Sequence, residues 1–318
     1  MIDTLATYSL VLVYSAMAVY ALAFIVFGLD LGRRAAEVPA ASTAMTTSVA
    51  ASAGSTALLE RTEVASEAKP RRSRFARIAL GLTILGWVLH VAGDVLRGVA
   101  ASRVPWANMF EFTLTATAII VGIFLAVQLW QRLEFLGVFI IGFALAALGV
   151  ATVNFYVDVV PLPSALQSVW LVVHVFVAAT ATGFLAVGGA LSITQLLQAR
   201  RATIGRGAGF LTRLPDAERL EELAYRVIVV GFVFWTFTLI AGAVWAERAW
   251  GRYWGWDTKE VWTFIIWTLF AGYIHARATR GWRGSRSAWL AIIGFSAVVF
   301  NFTIVNLFFK GLHAYSGL

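Results

Sequence analysis

The chain reads as long apolar runs separated by short polar ones. A helix that crosses a bilayer needs ~20 largely apolar residues. About eight segments meet that length: Tyr8–Leu29, Ala76–Val95, Phe110–Leu129, Phe135–Val153, Val169–Leu191, Ala224–Ala246, Val261–Tyr273 extended to His275, and Ala288–Phe309. The seventh is short and aromatic, so its outer end is expected to merge with the loop before it. The pattern predicts an all-α integral membrane protein of about eight transmembrane helices. The first run has neither a basic leader nor a small-residue cleavage site, so it is expected to stay as a helix rather than leave as a signal peptide.

Composition excludes a water-soluble domain. Of 318 residues, 60% are hydrophobic and only 13% charged, with a mean hydropathy of +0.79, whereas soluble surfaces carry far more charge. The net charge of +8 suggests nucleic-acid binding only until the charges are placed. Assigned alternately to two sides, the loops at 30–77, 130–134, 198–226 and 276–287 hold 19 Lys and Arg, and the opposite set holds Arg97, Arg103, Arg248, Arg252, Lys259 and Lys310. Cytoplasmic loops are the ones enriched in Lys and Arg, so both termini are expected outside, in a multi-pass plasma-membrane protein. Residues 1–29 then form the first transmembrane helix, 30–75 a linker, and 76–318 a seven-helix core. The stretch from Gly32 to Arg74 is rich in Ala, Ser and Thr. It buries too little apolar surface to fold alone, so a disordered cytoplasmic linker is expected. Its basic end, Lys69-Pro70-Arg71-Arg72-Ser73-Arg74, suits anionic headgroups. There is no cysteine, so any thiol chemistry must come from a partner.

One outer loop concentrates the chemistry. Trp250-Gly251-Arg252-Tyr253-Trp254-Gly255-Trp256-Asp257-Thr258-Lys259-Glu260 lies within the wider stretch 245–262, with Trp245 before it and Trp262 and Trp267 after. Trp and Tyr favour the bilayer interface, but that preference scatters aromatics around every helix end. Their concentration in one loop points to a large flat apolar ligand on the outer face.

The chain has four histidines, His90, His174, His275 and His313. A polar residue inside a span usually faces a cavity or a ligand. His174 and His313 fall at the depth of the Trp-rich loop; His275 lies 18 residues past Asp257, ~27 Å along a helix and so at the other end. His90 sits in the outer half of the second helix, four residues before Asp94. Two imidazoles beside a Trp platform suit axial ligation of haem iron. Tetrahedral zinc fits poorly, because it wants three or four Cys, His or carboxylate ligands at short spacing. The competing reading for each His is a hydrogen-bonded residue at a helix interface.

Trp250-Gly251-x-x-Trp254-x-Trp256-Asp257-x-x-Glu260 matches the WWD signature of haem-handling membrane proteins. The outer segment Pro105-Trp106-Ala107-Asn108-Met109-Phe110-Glu111 is similar to a P-x-x-N-x-(Tyr/Phe)-E run that accompanies it. With one His before the loop and two after, most of the chain resembles the CcsA (ResC) family, the membrane subunit of a cytochrome c synthase. The linker after the first helix is longer than the family's. Other WWD proteins, shorter or much longer, fit less well.

The resemblance implies that haem b is received from inside and presented outside for thioether attachment to the Cys-x-x-Cys-His of apocytochrome c. It implies His174 and His313 as outer axial ligands and His275 as a transmembrane ligand whose opposing ligand comes from the partner CcsB (ResB). Trp250, Trp254, Trp256, Asp257 and Glu260 would form the haem platform; thiol-reducing partners would keep the substrate cysteines reduced. Arg252 and Lys259 are candidates for the haem propionates, or else snorkel to headgroups. Asp257 also suits an N-cap. His90 and Glu111 are further candidates without an assigned role. Two activities fit: a haem lyase acting with CcsB, and a haem transporter that delivers haem without catalysing attachment. A purely interfacial aromatic belt would bind no haem.

Overall fold

The computed structural model describes residues 2–36, 72–159, 167–204, 211, 214–309 and 311–313. Among them the regular structure is helical: α1 Ile2–Ala36, α2 Arg74–Ala101, α3 Met109–Val127, a 3-10 turn Glu134–Leu136, α4 Gly137–Asn154, α5 Val169–Ile204, α6 Ala217–Trp250, α7 Thr258–Thr279, α8 Ser285–Phe300, a π turn Asn301–Val305 and a last short turn α9 Asn306–Phe308. The chain is therefore an all-α integral membrane protein.

Seven of these segments are long and apolar enough to cross a membrane. The helix outside that set is α7. It has 22 residues, but Lys259, Glu260, His275 and Arg277 and several Thr dilute its apolar content. The seventh span expected from sequence is thus present as a helix, starting at Thr258 and ending four residues past His275. Several helices outrun their apolar cores. α5, with 36 residues, is ~54 Å long at 1.5 Å per residue, well beyond a ~30 Å hydrocarbon layer. α1 likewise continues through residues 30–36, which the sequence assigns to the linker. The rest of that expected linker, 37–71, lies outside the described residues, as does Lys310.

Polar caps fix where the helices begin. The Ser73 hydroxyl accepts from the Ala76 N–H, the Asn108 side chain from the Glu111 N–H, and the Asp216 carboxylate from the Arg219 N–H; each satisfies a first-turn donor that has no partner within the helix. α7 begins with a capping box of Asp257 and Glu260. The eighth expected segment is one helical span, Ser285–Phe308. At Asn301–Val305 it widens into a π turn before α9, a feature that recurs at functional sites.

The helices alternate direction, so the loops gather at two ends. α1 runs antiparallel to α2, with the Ser9 hydroxyl donating to the Gly93 carbonyl at one end (2.7 Å) and Ser73 bonded to Asp30 at the other. α5 and α6 pair similarly along their length. At one end, Glu221 joins four elements: it accepts from the Gly284 N–H (2.8 Å) and the Ser287 hydroxyl (3.0 Å), its carbonyl accepts from Arg277 (3.1 Å), and Gln195 donates to the Gly284 carbonyl (3.0 Å). At the opposite end lie the 102–108 loop, the Trp-rich loop and residues 311–313.

A second polar knot orders that end. Glu111, fully buried, accepts from Arg97 (3.0 Å) and Arg103 (2.7 Å), and from the Ala107 N–H (2.9 Å). Arg97, itself buried, also donates to the Val157 carbonyl. Two cations on one carboxylate offset the cost of burying all three, and they clamp the loop before α3 to the strand of chain after α4.

Candidate functional site

A cavity of about 450 Å³ opens at the Trp-rich end, enclosed by α3, α4, α5, α6, the start of α7 and the segment from α8 to His313. Its size falls within the 300–1,000 Å³ common for small-molecule and cofactor sites. The wall is mostly apolar and aromatic, with Trp106, Trp235, Trp245 and Trp254 among its residues. His174, His313 and the adjacent pair Lys259 and Glu260 reach it from three separate parts of the chain.

The two histidines meet on one indole. The His174 ring stacks on Trp245 at 5.8 Å between centroids, with 11° between planes; the His313 ring meets the same indole edge-on at 5.5 Å. Trp250 closes the group, 4.8 Å from both Trp245 and His313. Trp245 is 2% exposed, so this cluster forms a packed wall and not an interfacial fringe.

Each imidazole is held by its Nδ1. In His174, Nδ1 lies 3.0 Å from the Thr238 carbonyl of α6. A carbonyl can only accept, so Nδ1 carries the proton and the neutral ring keeps its lone pair on Nε2. Close approach requires Gly242, one turn after Thr238: a Cβ there would stand 2.8 Å from the His174 ring. In His313, Nδ1 lies 3.3 Å from Asp257 Oδ1. The His313 side chain, helped by the Lys259 and Leu312 N–H groups, holds the Asp257 carboxyl well below the usual carboxylate range. Asp257 is therefore an acceptor at neutral pH, and the His313 Nδ1–H donates to it. Carbonyl or carboxylate on the far nitrogen is the usual support for a metal-binding imidazole.

Residues 311–313 are docked by the loop. Asp257 Oδ2 accepts from the Leu312 N–H at 2.8 Å, and a Cβ at Gly311 would lie 2.3 Å from that oxygen. Glycine at 311 thus permits the contact that brings His313 to the cavity. Glu260 Oε2 accepts from the Gly255 (2.8 Å) and Asp257 (3.1 Å) N–H groups, fixing the loop against α7.

The other expected site residues divide. Trp254 and Glu260 line the cavity; Trp250 and Asp257 support His313 from behind. Trp256 does not reach the cavity wall: its backbone is left-handed (φ 59°) and its ring is 77% exposed, edge-on to Trp254. Of the two basic candidates, Lys259 lines the cavity, while Arg252 lies exposed across Gly255, whose missing Cβ leaves room for its guanidinium. His275 is exposed on α7 near the Glu221 end, away from the cavity. His90 is buried among α1 and α2, its ring edge-on to Tyr20 and its Nδ1 3.3 Å from the Tyr20 hydroxyl. Glu111 belongs to the arginine knot.

Sequence reasoning missed Thr238, Gly242, Asn301 and Asn306. Two asparagines five residues apart in an otherwise apolar span are a visible signal. A backbone carbonyl and a glycine that meet a ring from another helix are not.

Residues 106–313 match the family model described as Cytochrome C assembly protein. A protein from Trieres chinensis, named Cytochrome c biogenesis protein CcsA, is 33% identical over 281 residues, covering 77% of this chain and 90% of its own. One of the same name from Gloeobacter violaceus is 32% identical over 275 residues, 70% of this chain and 81% of its own. Another, from Synechococcus sp. (strain CC9902), is 42% identical over 176 residues, which span 49% of this chain and 58% of that protein.

Proposed function

Because the chain belongs to the CcsA family of cytochrome c biogenesis proteins, we propose that its cavity binds haem and presents it for covalent attachment to apocytochrome c. The observation that carries this reading is the pair His174 and His313. They come from distant parts of the chain, share one indole, and each uses Nδ1 on a fixed acceptor, leaving Nε2 as a donor to iron. The aromatic wall supplies flat contact area for a porphyrin, and the cavity volume fits a ligand of that class.

Haem is here the substrate, and what the protein contributes is position. His174 is anchored to α6 and His313 to the cap of α7, so a haem held by both would be oriented by two helices. Attachment adds each thiol S–H of a Cys-x-x-Cys-His segment across a vinyl C=C: one C–S and one C–H bond form, with no net oxidation or reduction. Holding reactants in line is worth several powers of ten in rate. A chain without cysteine offers no thiol to compete for the vinyl groups. The haem lyase is the complex with CcsB, and thiol-reducing partners keep the substrate cysteines available.

The excess of Lys and Arg on the Glu221 end supports a topology with that end cytoplasmic and the cavity extracytoplasmic, in the plasma membrane. His275, exposed near the cytoplasmic end of α7, favours a second element of the reading. It would serve as a transmembrane haem ligand whose opposing ligand comes from CcsB, on a path by which haem reaches the outer site. A haem transporter without attachment activity shares that path.

The test is the reduced absorption spectrum of the protein purified with CcsB, compared with His174→Ala and His313→Ala. A bis-imidazole spectrum lost or altered in both variants is expected. Absence of haem from every sample refutes the site. Thioether formation on an added apocytochrome then separates lyase from transporter.

A further inference from the structure

Lys259 places an ammonium inside a cavity whose walls are otherwise mainly apolar. Its Nζ bonds to the Asn306 side-chain oxygen and lies 3.4 Å from the Asn301 carbonyl. Both partners are neutral. Among the described residues no carboxylate stands within 4.0 Å of this ammonium. Its two acidic neighbours hold other partners: Asp257 pairs with His313 and the Lys259 and Leu312 N–H groups, and Glu260 Oε2 accepts from the Gly255 and Asp257 N–H groups, while Glu260 Oε1 has no partner among the described residues. Glu260 sits in the first turn of α7, where the helix dipole offsets its charge. A cation in a membrane-embedded cavity is costly unless paired, and among the described residues Lys259 Nζ has two partners for its three N–H donors.

A second, independent group lies beside it. Asn301 is buried and lines the cavity, and among the described residues its side-chain Oδ1 has no partner. Its side-chain amide also carries an N–H2 group, a donor that a carboxylate can use. The π turn that begins at Asn301 turns its backbone carbonyl to Lys259, while Asn306 is fixed by donating from Nδ2 to the Phe302 carbonyl at 2.8 Å. The widened turn therefore builds a small polar cradle in an apolar wall.

We infer that Lys259 and Asn301 form the docking point for an acidic group of the cavity's ligand, a carboxylate, and that this contact sets which edge of the ligand faces the π turn. The inference rests on the haem reading: haem carries two propionates on one edge and its vinyl groups away from them. A propionate on Lys259 would turn the vinyl-bearing edge away from the π turn and leave it clear of that wall for an incoming thiol. Arg252, lying outside the cavity across Gly255, takes no part.

The experiment compares haem with its dimethyl ester, in which both propionates are neutral, bound to the full chain purified with CcsB. Affinity is read from the bis-imidazole spectrum. Wild type should bind haem roughly tenfold or more tightly than the diester, as expected for a charge-assisted hydrogen bond. Lys259→Met, close in shape but uncharged, should bind both with the lower affinity. Equal binding of the two by wild type overturns the docking point and leaves the haem site standing, and so does a preference that survives in Lys259→Met. Failure of wild type to bind either porphyrin overturns the haem reading, and this inference with it. The wild-type comparison needs no variant, so a folding defect in Lys259→Met does not blunt the test.

Discussion

Gly242→Ala adds a single methyl group at the most constrained contact of the site. The new Cβ would stand 2.8 Å from His174 Cε1 and 3.0 Å from Nδ1. Carbon atoms rest at about 3.5–4.0 Å, so the ring must retreat by roughly 0.7 Å or more. The hydrogen bond from Nδ1 to the Thr238 carbonyl, 3.0 Å in the native structure, then passes beyond the ~3.2 Å at which such bonds hold. Losing it costs about 0.5–1.5 kcal/mol, and overpacking adds about 1–3 kcal/mol. Replacing glycine within a helix returns at most ~1 kcal/mol through better propensity. The variant should therefore be less stable than wild type.

Its haem affinity should fall by about 10–100-fold, the usual effect of losing the support of a ligating imidazole. Gly272→Ala is the control: it lies on α7 with nothing within 4 Å of the added Cβ, so it should be neutral or stabilising by up to ~1 kcal/mol. Haem titration followed at the Soret band, together with thermal unfolding, reads both quantities. If Gly242→Ala binds haem as wild type does, His174 does not depend on the Thr238 contact and the argument from its tautomer fails.

Asp257→Asn should keep the helix cap yet weaken haem binding about 10–100-fold by loosening His313, seen in the same titration; an unchanged affinity would separate His313 from the site. Since the Asp257 carboxyl is held below its ordinary range, its stabilising contribution is present above the unfolded value of about 4 and is lost only as pH falls further; difference infrared spectra against Asp257→Asn should show no protonated carboxyl from pH 5 upward. Glu111→Gln strips the carboxylate from two buried arginines and should lower stability by about 3–5 kcal/mol, measured by thermal unfolding, with an unchanged result meaning that solvent reaches them. His90→Phe should leave the haem spectrum intact, because His90 packs on Tyr20 and is not among the residues that line the cavity; loss of the spectrum would give His90 a role in binding.

The eight helical segments were legible because a hydrocarbon layer demands about twenty apolar residues per crossing, a constraint that local composition must satisfy. The site's outline was legible as well, since tryptophan, histidine and carboxylate stand out in such a background. Which side chains work together was not. In a membrane bundle the lipid-facing and core-facing sides of a helix are both apolar, so the periodicity that reveals a buried face in soluble helices fades. Arg252 and Lys259 are equivalent in sequence, and only the path of the loop sends one out across Gly255 and the other into the cavity. Trp256 belongs to the motif, yet a left-handed residue before the α7 cap turns its ring outward.

By itself, then, the sequence determined the fold class and the alternation of loops between two ends, and it marked the tryptophans, histidines and carboxylates of the candidate site, because each is a local property of composition. The tertiary structure alone decided that His174 and His313 share the Trp245 indole, that Gly242 and Gly311 make room for the contacts that hold their Nδ1 atoms, and that a π turn aims the Asn301 carbonyl at Lys259. Those contacts join residues far apart in the chain, and their energies depend on distances of a few tenths of an ångström, which only the packed bundle sets.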